Sequence, residues 1–165
     1  MDGLKQKLQQ DLKDSLKAGD SKKRMVIGGI MSAIKNKELE KRGKLAKAGT
    51  DPSKLDEGSK LNGEEVLDVV ASEVKKRKES IESFESGGRN DLVANEREEL
   101  DILMGYMPEQ MSEDAVREEI KKAISQAGAK DIKDIGKVIG AVMAKVKGKA
   151  DGSLVSKIVK EELSK

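Results

Sequence analysis

The chain has 165 residues, 36% hydrophobic and 39% charged, and its 33 basic and 31 acidic side chains leave a net charge of +2. That length fits one ordinary domain or two small ones, and so small a net charge makes any electrostatic argument a local one. There is no His, Cys or Trp, which excludes Ser-His-Asp and Cys-His catalysis, His/Cys zinc sites and disulfides.

With one Phe and one Tyr, the core must be built from Leu, Ile, Val, Ala and Met. No apolar run reaches the ~20 residues of a membrane span. The opening Met1-Asp2-Gly3-Leu4-Lys5 lacks the apolar stretch of a signal peptide. The default prediction is a cytoplasmic protein, without membrane association, metal or cofactor.

Helical spacing runs through nearly the whole chain. Leu4, Leu8, Leu12 and Leu16 recur every fourth residue, predicting one buried stripe on a first helix that ends at Gly19. Ile27, Ile30, Met31 and Ile34 mark a second helix, from Asp20 or Ser21 and fading by Arg42. Residues 43 to 61 carry Gly43, Gly49, Pro52 and Gly58 among Lys, Asp and Ser, and read as a long mobile loop. A third helix starts at Asn62, with Glu65 completing a capping-box pattern, and buries Val66, Val69, Val70, Val74, Ile81 and Phe84. Gly87-Gly88 stops it. A fourth helix carries Leu92, Val93, Leu100 and Leu103 and must end near Met107, because Pro108 disfavours α conformation in the residue before it.

Ser112 then caps a fifth helix with Val116, Ile120, Ala123 and Ile124, closed by Gly128. A sixth, from Asp131 or Asp134, shows Ile132, Ile135, Ile139, Val142 and Val146. After a turn at residues 148–152, a last helix, capped by Ser153 or Asp151, carries Leu154, Val155, Ile158, Val159 and Leu163. The prediction is an all-α protein of seven helices: an N-terminal array over residues 1–107 and a three-helix unit over 108–165.

The sixth helix has the most unusual composition. Gly136, Gly140, Ala144 and Gly148 repeat every four residues, and a glycine inside a helix costs ~1 kcal/mol relative to Ala. Such a row lets a backbone come close, either a neighbouring helix or a nucleic-acid strand. Lys133, Lys137 and Lys147 run along it and Lys149 follows in the turn, a pattern that favours phosphate. The start of the last helix at Ser153 offers unpaired N–H groups as a further anion contact. Residues 130 to 165 hold nine basic and five acidic groups, against two and ten over residues 91 to 119. With so few aromatic side chains to stack bases, structured RNA is favoured over single strands.

Two other charged groups read as structural. Glu73 and Arg77 lie one turn apart inside the apolar stripe and are expected to be partly buried, paired with each other or with Glu96 or Glu99 of the next helix. Glu96, Glu98, Glu99 and Asp101 otherwise read as a solvated acidic face rather than a Mg²⁺ site. Gly148-Lys149 is no phosphate loop, because Met143 and Ala150 stand where Gly and Ser or Thr are required.

These stretches resemble the GatB/YqeY domain family, in its stand-alone form. Asp134-Ile135-Gly136-Lys137-Val138-Ile139-Gly140-Ala141-Val142-Met143 and Lys147-Gly148-Lys149-Ala150-Asp151-Gly152-Ser153-Leu154-Val155 are similar to its C-terminal signature. Gly88-Arg89-Asn90-Asp91-Leu92, Glu99-Leu100-Asp101-Ile102-Leu103 and Tyr106-Met107-Pro108-Glu109-Gln110-Met111-Ser112-Glu113 match as well, as does Lys76-Arg77-Lys78-Glu79-Ser80-Ile81. Gly28 departs from the pattern, since relatives often have Arg there, and the 43–61 segment is longer than usual.

The resemblance implies an all-α, two-part protein whose C-terminal unit is similar to the tail of the tRNA-dependent amidotransferase B subunit. That tail contacts tRNA, while the glutaminase and ATP-dependent steps lie elsewhere in the enzyme. It therefore implies a non-catalytic tRNA- or RNA-binding accessory module, with amidotransferase or aminoacyl-tRNA synthetase components as partners. Carbon–nitrogen ligase activity with glutamine as amido-N-donor comes with the family name, but the residues argue against catalysis by the chain alone: there is no Cys or His, no recognisable nucleotide site and no glycine/serine-rich amidase signature around a Ser-Lys pair. The alternatives are a protein–protein adaptor without RNA binding and an enzyme component associated with an amidotransferase.

Overall fold

The computed structural model describes residues 3–129 and 131–164. Among them the chain is all-α, with eight α-helices, two 3-10 turns and no strand. It divides into two compact units, Met1–Tyr106 and Met107–Lys165.

The first unit contains α1 (Gly3–Ala18), α2 (Ser21–Lys47), α3 (Leu55–Gly58), α4 (Gly63–Ser86) and α5 (Asn90–Met104). α2 is central and touches the other four, while α4 packs most extensively on α5. Leu8, Ile27, Ile30, Ile34, Val66, Val70 and Leu103 are fully buried where they meet. The ends follow local chemistry. Asp20 accepts the Lys23 N–H at 2.9 Å. Asn62 and Glu65 form a reciprocal capping box at the start of α4, with bonds of 2.9 and 2.8 Å.

Three expectations need correction here. Of the four N-terminal leucines, Leu8 is buried, Leu4 and Leu12 are half-buried, and Leu16 is 54% exposed. Four residues overshoot one helical turn by about 40°, so a strict four-residue spacing drifts off the core. Ser15 takes the buried place and satisfies its hydroxyl on the Leu12 carbonyl at 2.8 Å. The fourth predicted helix, α5, ends at Met104 rather than near Met107. The 43–61 segment is not one long loop. α2 continues to Lys47, and a 3-10 turn at Pro52–Lys54 leads into α3. Leu55 and Ser59 are buried and anchor it. A Cβ on Gly58 would stand 3.3 Å from the end of the Leu45 side chain, so α3 lies close against α2 there.

Glu38 fastens three elements together. Its carboxylate accepts from Lys5 Nζ of α1 at 2.5 Å and from the Leu61 N–H before α4 at 3.1 Å. Partial burial pushes its pKa up, but the bonds from Lys5 and Leu61 and the charges of Lys5 and Lys35 outweigh this and leave it below its ordinary 4.5. A lowered folded-state pKa stabilises fully above the unfolded value, and that stability is lost as pH falls through the folded value. Glu38→Gln should therefore lose about 1–2 kcal/mol near pH 7. Its stability should also fall less steeply than wild type on acidification, in melts from about pH 7 to pH 3. Parallel pH curves for the two proteins would refute this.

Glu73 and Arg77 do not pair with each other. Glu73 meets Lys76 at 2.6 Å. Arg77 crosses to α5, where it lies 2.8 Å from Glu96 and 2.6 Å from Glu99 Oε2. Glu99 is only 3% exposed, and a buried carboxylate needs the guanidinium more than the partly solvated Glu73 does. Asn95 donates to its other oxygen at 2.8 Å. Glu96 and Glu99 are thereby withdrawn from the expected solvated acidic face, which keeps Glu98 and Asp101.

The second unit contains α6 (Glu113–Ala127), a 3-10 turn at Ile132–Asp134, α7 (Ile135–Val146) and α8 (Gly152–Leu163). The three helices pack pairwise around Val116, Ile120, Val138, Val142, Val155 and Ile158. Ser112 caps α6, and Gly128 ends it at φ 61°. The apolar phase of α7 differs from the expected one. Val138, Val142 and Val146 are its centre, Ile135 and Ile139 are half-buried, and Ile132 is 46% exposed. Ile132 lies in the 3-10 turn, whose three residues per turn do not continue the α-helical phase. Arg117 clamps α6 to α8, meeting Glu113 at 3.2 Å, Glu161 at 3.1 Å and Glu162 at 2.8 Å. Bonds to Glu162, Glu161 and Glu113 hold its pKa above the ordinary arginine value.

Candidate nucleic-acid interface

Because Val138, Val142 and Val146 face inward, α7 turns Gly136, Lys137, Gly140, Ala141, Ala144 and Lys145 to the exposed side. A Cβ built on Gly136 or Gly140 meets no atom within 4 Å. Packing within the unit therefore does not account for either glycine.

The lysines are exposed but not equivalent. Lys137 stands on α7 and donates to the Ala127 carbonyl at 3.2 Å. This places a cation at the negative end of α6. Lys133 belongs to the preceding 3-10 turn, where its N–H is held by Asp131 at 2.7 Å. Lys147 is the residue that ends α7 and opens the turn, and Lys149 lies further along the same turn. Gly136, Lys137 and Gly140 thus share the helix, while Lys133, Lys147 and Lys149 flank its ends.

The turn is firmly built. Gly148 has φ 72°, a left-handed conformation that favours glycine. Its carbonyl accepts from Gln110 Nε2 at 2.8 Å, and the Lys149 carbonyl accepts from the Met111 N–H at 2.7 Å.

At the expected anion contact, Ser153 is already engaged by a neighbouring carboxylate. Asp151 accepts both the Ser153 N–H, at 2.8 Å, and the Ser153 hydroxyl, at 2.6 Å. A carboxylate already occupies the start of α8 and opposes a second anion there. The Asp-x-Ser spacing at 151–153 was the signal for this turn. Lys145, which reaches Gln126 at 3.2 Å, is an exposed cation of the same helix that the sequence reading missed. The surface is an open strip of backbone flanked by cations, suited to a phosphate chain. Among the described residues, no three His, Cys, Asp or Glu side chains are grouped to hold a metal ion.

A family described as "Yqey-like protein" matches residues 5–163, and the chain belongs to that family. A Saccharomyces cerevisiae relative is 33% identical over 82% of this chain and 68% of its own length. One from Pyrenophora tritici-repentis is 31% identical over 94% and 78%, and one from Lachancea thermotolerans is 34% identical over 61% and 46%. Each is named "Altered inheritance of mitochondria protein 41, mitochondrial".

Those names overturn the cytoplasmic expectation. It rested on the missing apolar stretch of a secretory signal, whereas mitochondrial transit segments are amphipathic and Arg-rich, so that absence did not bear on this compartment. No described helix is long and apolar enough to cross a membrane.

Proposed function

We propose that this chain is a non-catalytic RNA-binding accessory protein that takes tRNA or a similarly structured RNA on the exposed side of α7. The observation that carries this reading is the open space over Gly136 and Gly140 beside exposed Lys137, with Lys133, Lys147 and Lys149 at the ends. Two helical glycines that serve no internal contact make sense where an external backbone must come close. Contacts of this kind read phosphate position and RNA shape rather than base identity. The family's resemblance to an amidotransferase tail supports tRNA as the RNA. The relatives' printed names make mitochondrial tRNA the first to test.

The test is a titration of labelled tRNA at two or more salt concentrations, comparing wild type with a Lys137→Ala, Lys147→Ala, Lys149→Ala triple variant. The variant should bind different tRNAs more weakly by a similar factor. The slope of log affinity against log salt should flatten by about 0.9 for each lost phosphate contact. Helix content should be unchanged, and the lost Lys137 contact at the end of α6 alone should lower stability by about 0.5 kcal/mol. Wild-type affinity and slope in the triple variant would sink the proposal.

A further inference from the structure

The first unit holds a cleft of about 540 Å³ between α2 and α4, floored by Ala33, Leu61 and Val69. Lys41 near the end of α2 meets Glu65 near the start of α4 at 2.8 Å, so the two helices line the cleft in opposite directions. Its walls carry opposite charge. The α2 wall presents Lys37, Lys41 and Lys44 with one acid, Glu40, for a net +2. The α4 wall presents Glu65, Asp68 and Glu73 with one base, Lys76, for a net −2.

We infer that this cleft seats an amphipathic helix of about three turns from a partner protein, its acidic edge along α2 and its basic edge along α4. The two walls sum to zero, so a phosphate chain gains no net attraction, whereas a helix with oppositely charged edges matches both. The length agrees. Residues 33–44 and 65–76 each span about 17 Å at the α-helical rise, the reach of a three-turn helix.

The rim contacts are of a kind a partner can replace. Lys37–Glu40 at 2.8 Å and Glu73–Lys76 at 2.6 Å are pairs within one helix, three residues apart, with both lysines well solvated, and they contribute little to stability, while Lys41–Glu65 joins the walls near the start of α4. Burial points the same way. The buried residues of α2 stop at Ile34, although the helix runs on to Lys47. Beyond Ile34 the helix is held by the polar contacts of Glu38 and Lys41 and by α3, and a seated helix would add apolar packing there.

The test uses phage-displayed three-turn helices with a fixed Leu stripe and edge positions drawn from Glu, Lys and Ser, panned against the full chain. Enriched sequences should carry acids on one edge and bases on the other. The best of them, made as a synthetic peptide, should lose at least about tenfold in affinity for Ser72→Trp. Ser72 lines the cleft and is exposed, so this change fills the site while leaving the melting temperature nearly unaltered. Three results would each overturn the inference: no enrichment beyond that seen with Ser72→Trp panned in parallel, enrichment of helices with one sign on both edges, or equal affinity for the two proteins. A dimer abolished by Ser72→Trp in sedimentation would also overturn it, by making the occupant a second copy of this chain.

Discussion

Arg77→Met should lower stability by about 3 kcal/mol, and the melting temperature by roughly 6–12 °C for a chain of this size. The cause is the group left behind. Glu99 is 3% exposed, and its Oε2 makes no conventional hydrogen bond, so the guanidinium at 2.6 Å is what compensates its charge. Arg77 itself keeps 31% of its side-chain surface exposed, which puts the loss at the lower end for a broken buried pair. The double variant Arg77→Met, Glu99→Leu should recover part of the loss, because it removes the buried Glu99 charge but leaves Glu96, 14% exposed, without its guanidinium. Thermal and urea melts of the two single variants and the double variant measure the coupling. An Arg77→Met protein that melts like wild type would show that Glu99 finds water or another partner without rearranging the fold.

The second large effect has the opposite sign. Gly136→Ala with Gly140→Ala should stabilise the chain by about 2 kcal/mol, about 1 kcal/mol for each helical glycine replaced. Both glycines lie within α7, neither has a positive φ, and a methyl group at either meets open space. The same two methyl groups should weaken tRNA binding, since they hold a phosphate backbone away from the helix while every lysine is kept. Stability and affinity moving in opposite directions is the signature of glycines kept for an external contact. A more stable variant with unchanged tRNA affinity would remove the glycines from the interface. A less stable one would show that they are packed after all.

The all-α class was legible because apolar residues recur at helical spacing and because stop and start signals are written in single residues. Asn62 with Glu65, Ser112 and Gly128 do in the fold what their types predict. Phase was harder to read. Leu16 belongs to a four-residue series that rotates away from the core, and Ile132 precedes α7 in a 3-10 turn, so each looked buried by spacing alone. Segment 43–61 looked like a loop because its composition is polar and glycine-rich. Its order comes from Leu55 burying itself and from Glu38 and Lys41 holding the far end, partners that are distant in sequence. In the candidate site, the exposed glycines and lysines of α7 were visible as residue types. That Asp151 fills the start of α8 required three-dimensional geometry, since a hydroxyl and a carboxylate two positions apart can each serve as a cap.

The side-chain bond from Gln110 and the backbone bond from Met111 to the turn at 148 and 149 bear on where the second unit can be cut free. Judged by helices alone, a minimal fragment would start at Ser112, the cap of α6. Such a fragment would discard Gln110 and Met111, which donate to the Gly148 and Lys149 carbonyls. The turn between α7 and α8 would then lose both clasps and keep only its own bonds, from the Lys149 and Ala150 N–H groups to the Val146 carbonyl at 2.8 and 3.2 Å. The autonomous piece of this protein therefore begins before its first helix, at the two non-helical residues that tie its entrance to its own far turn.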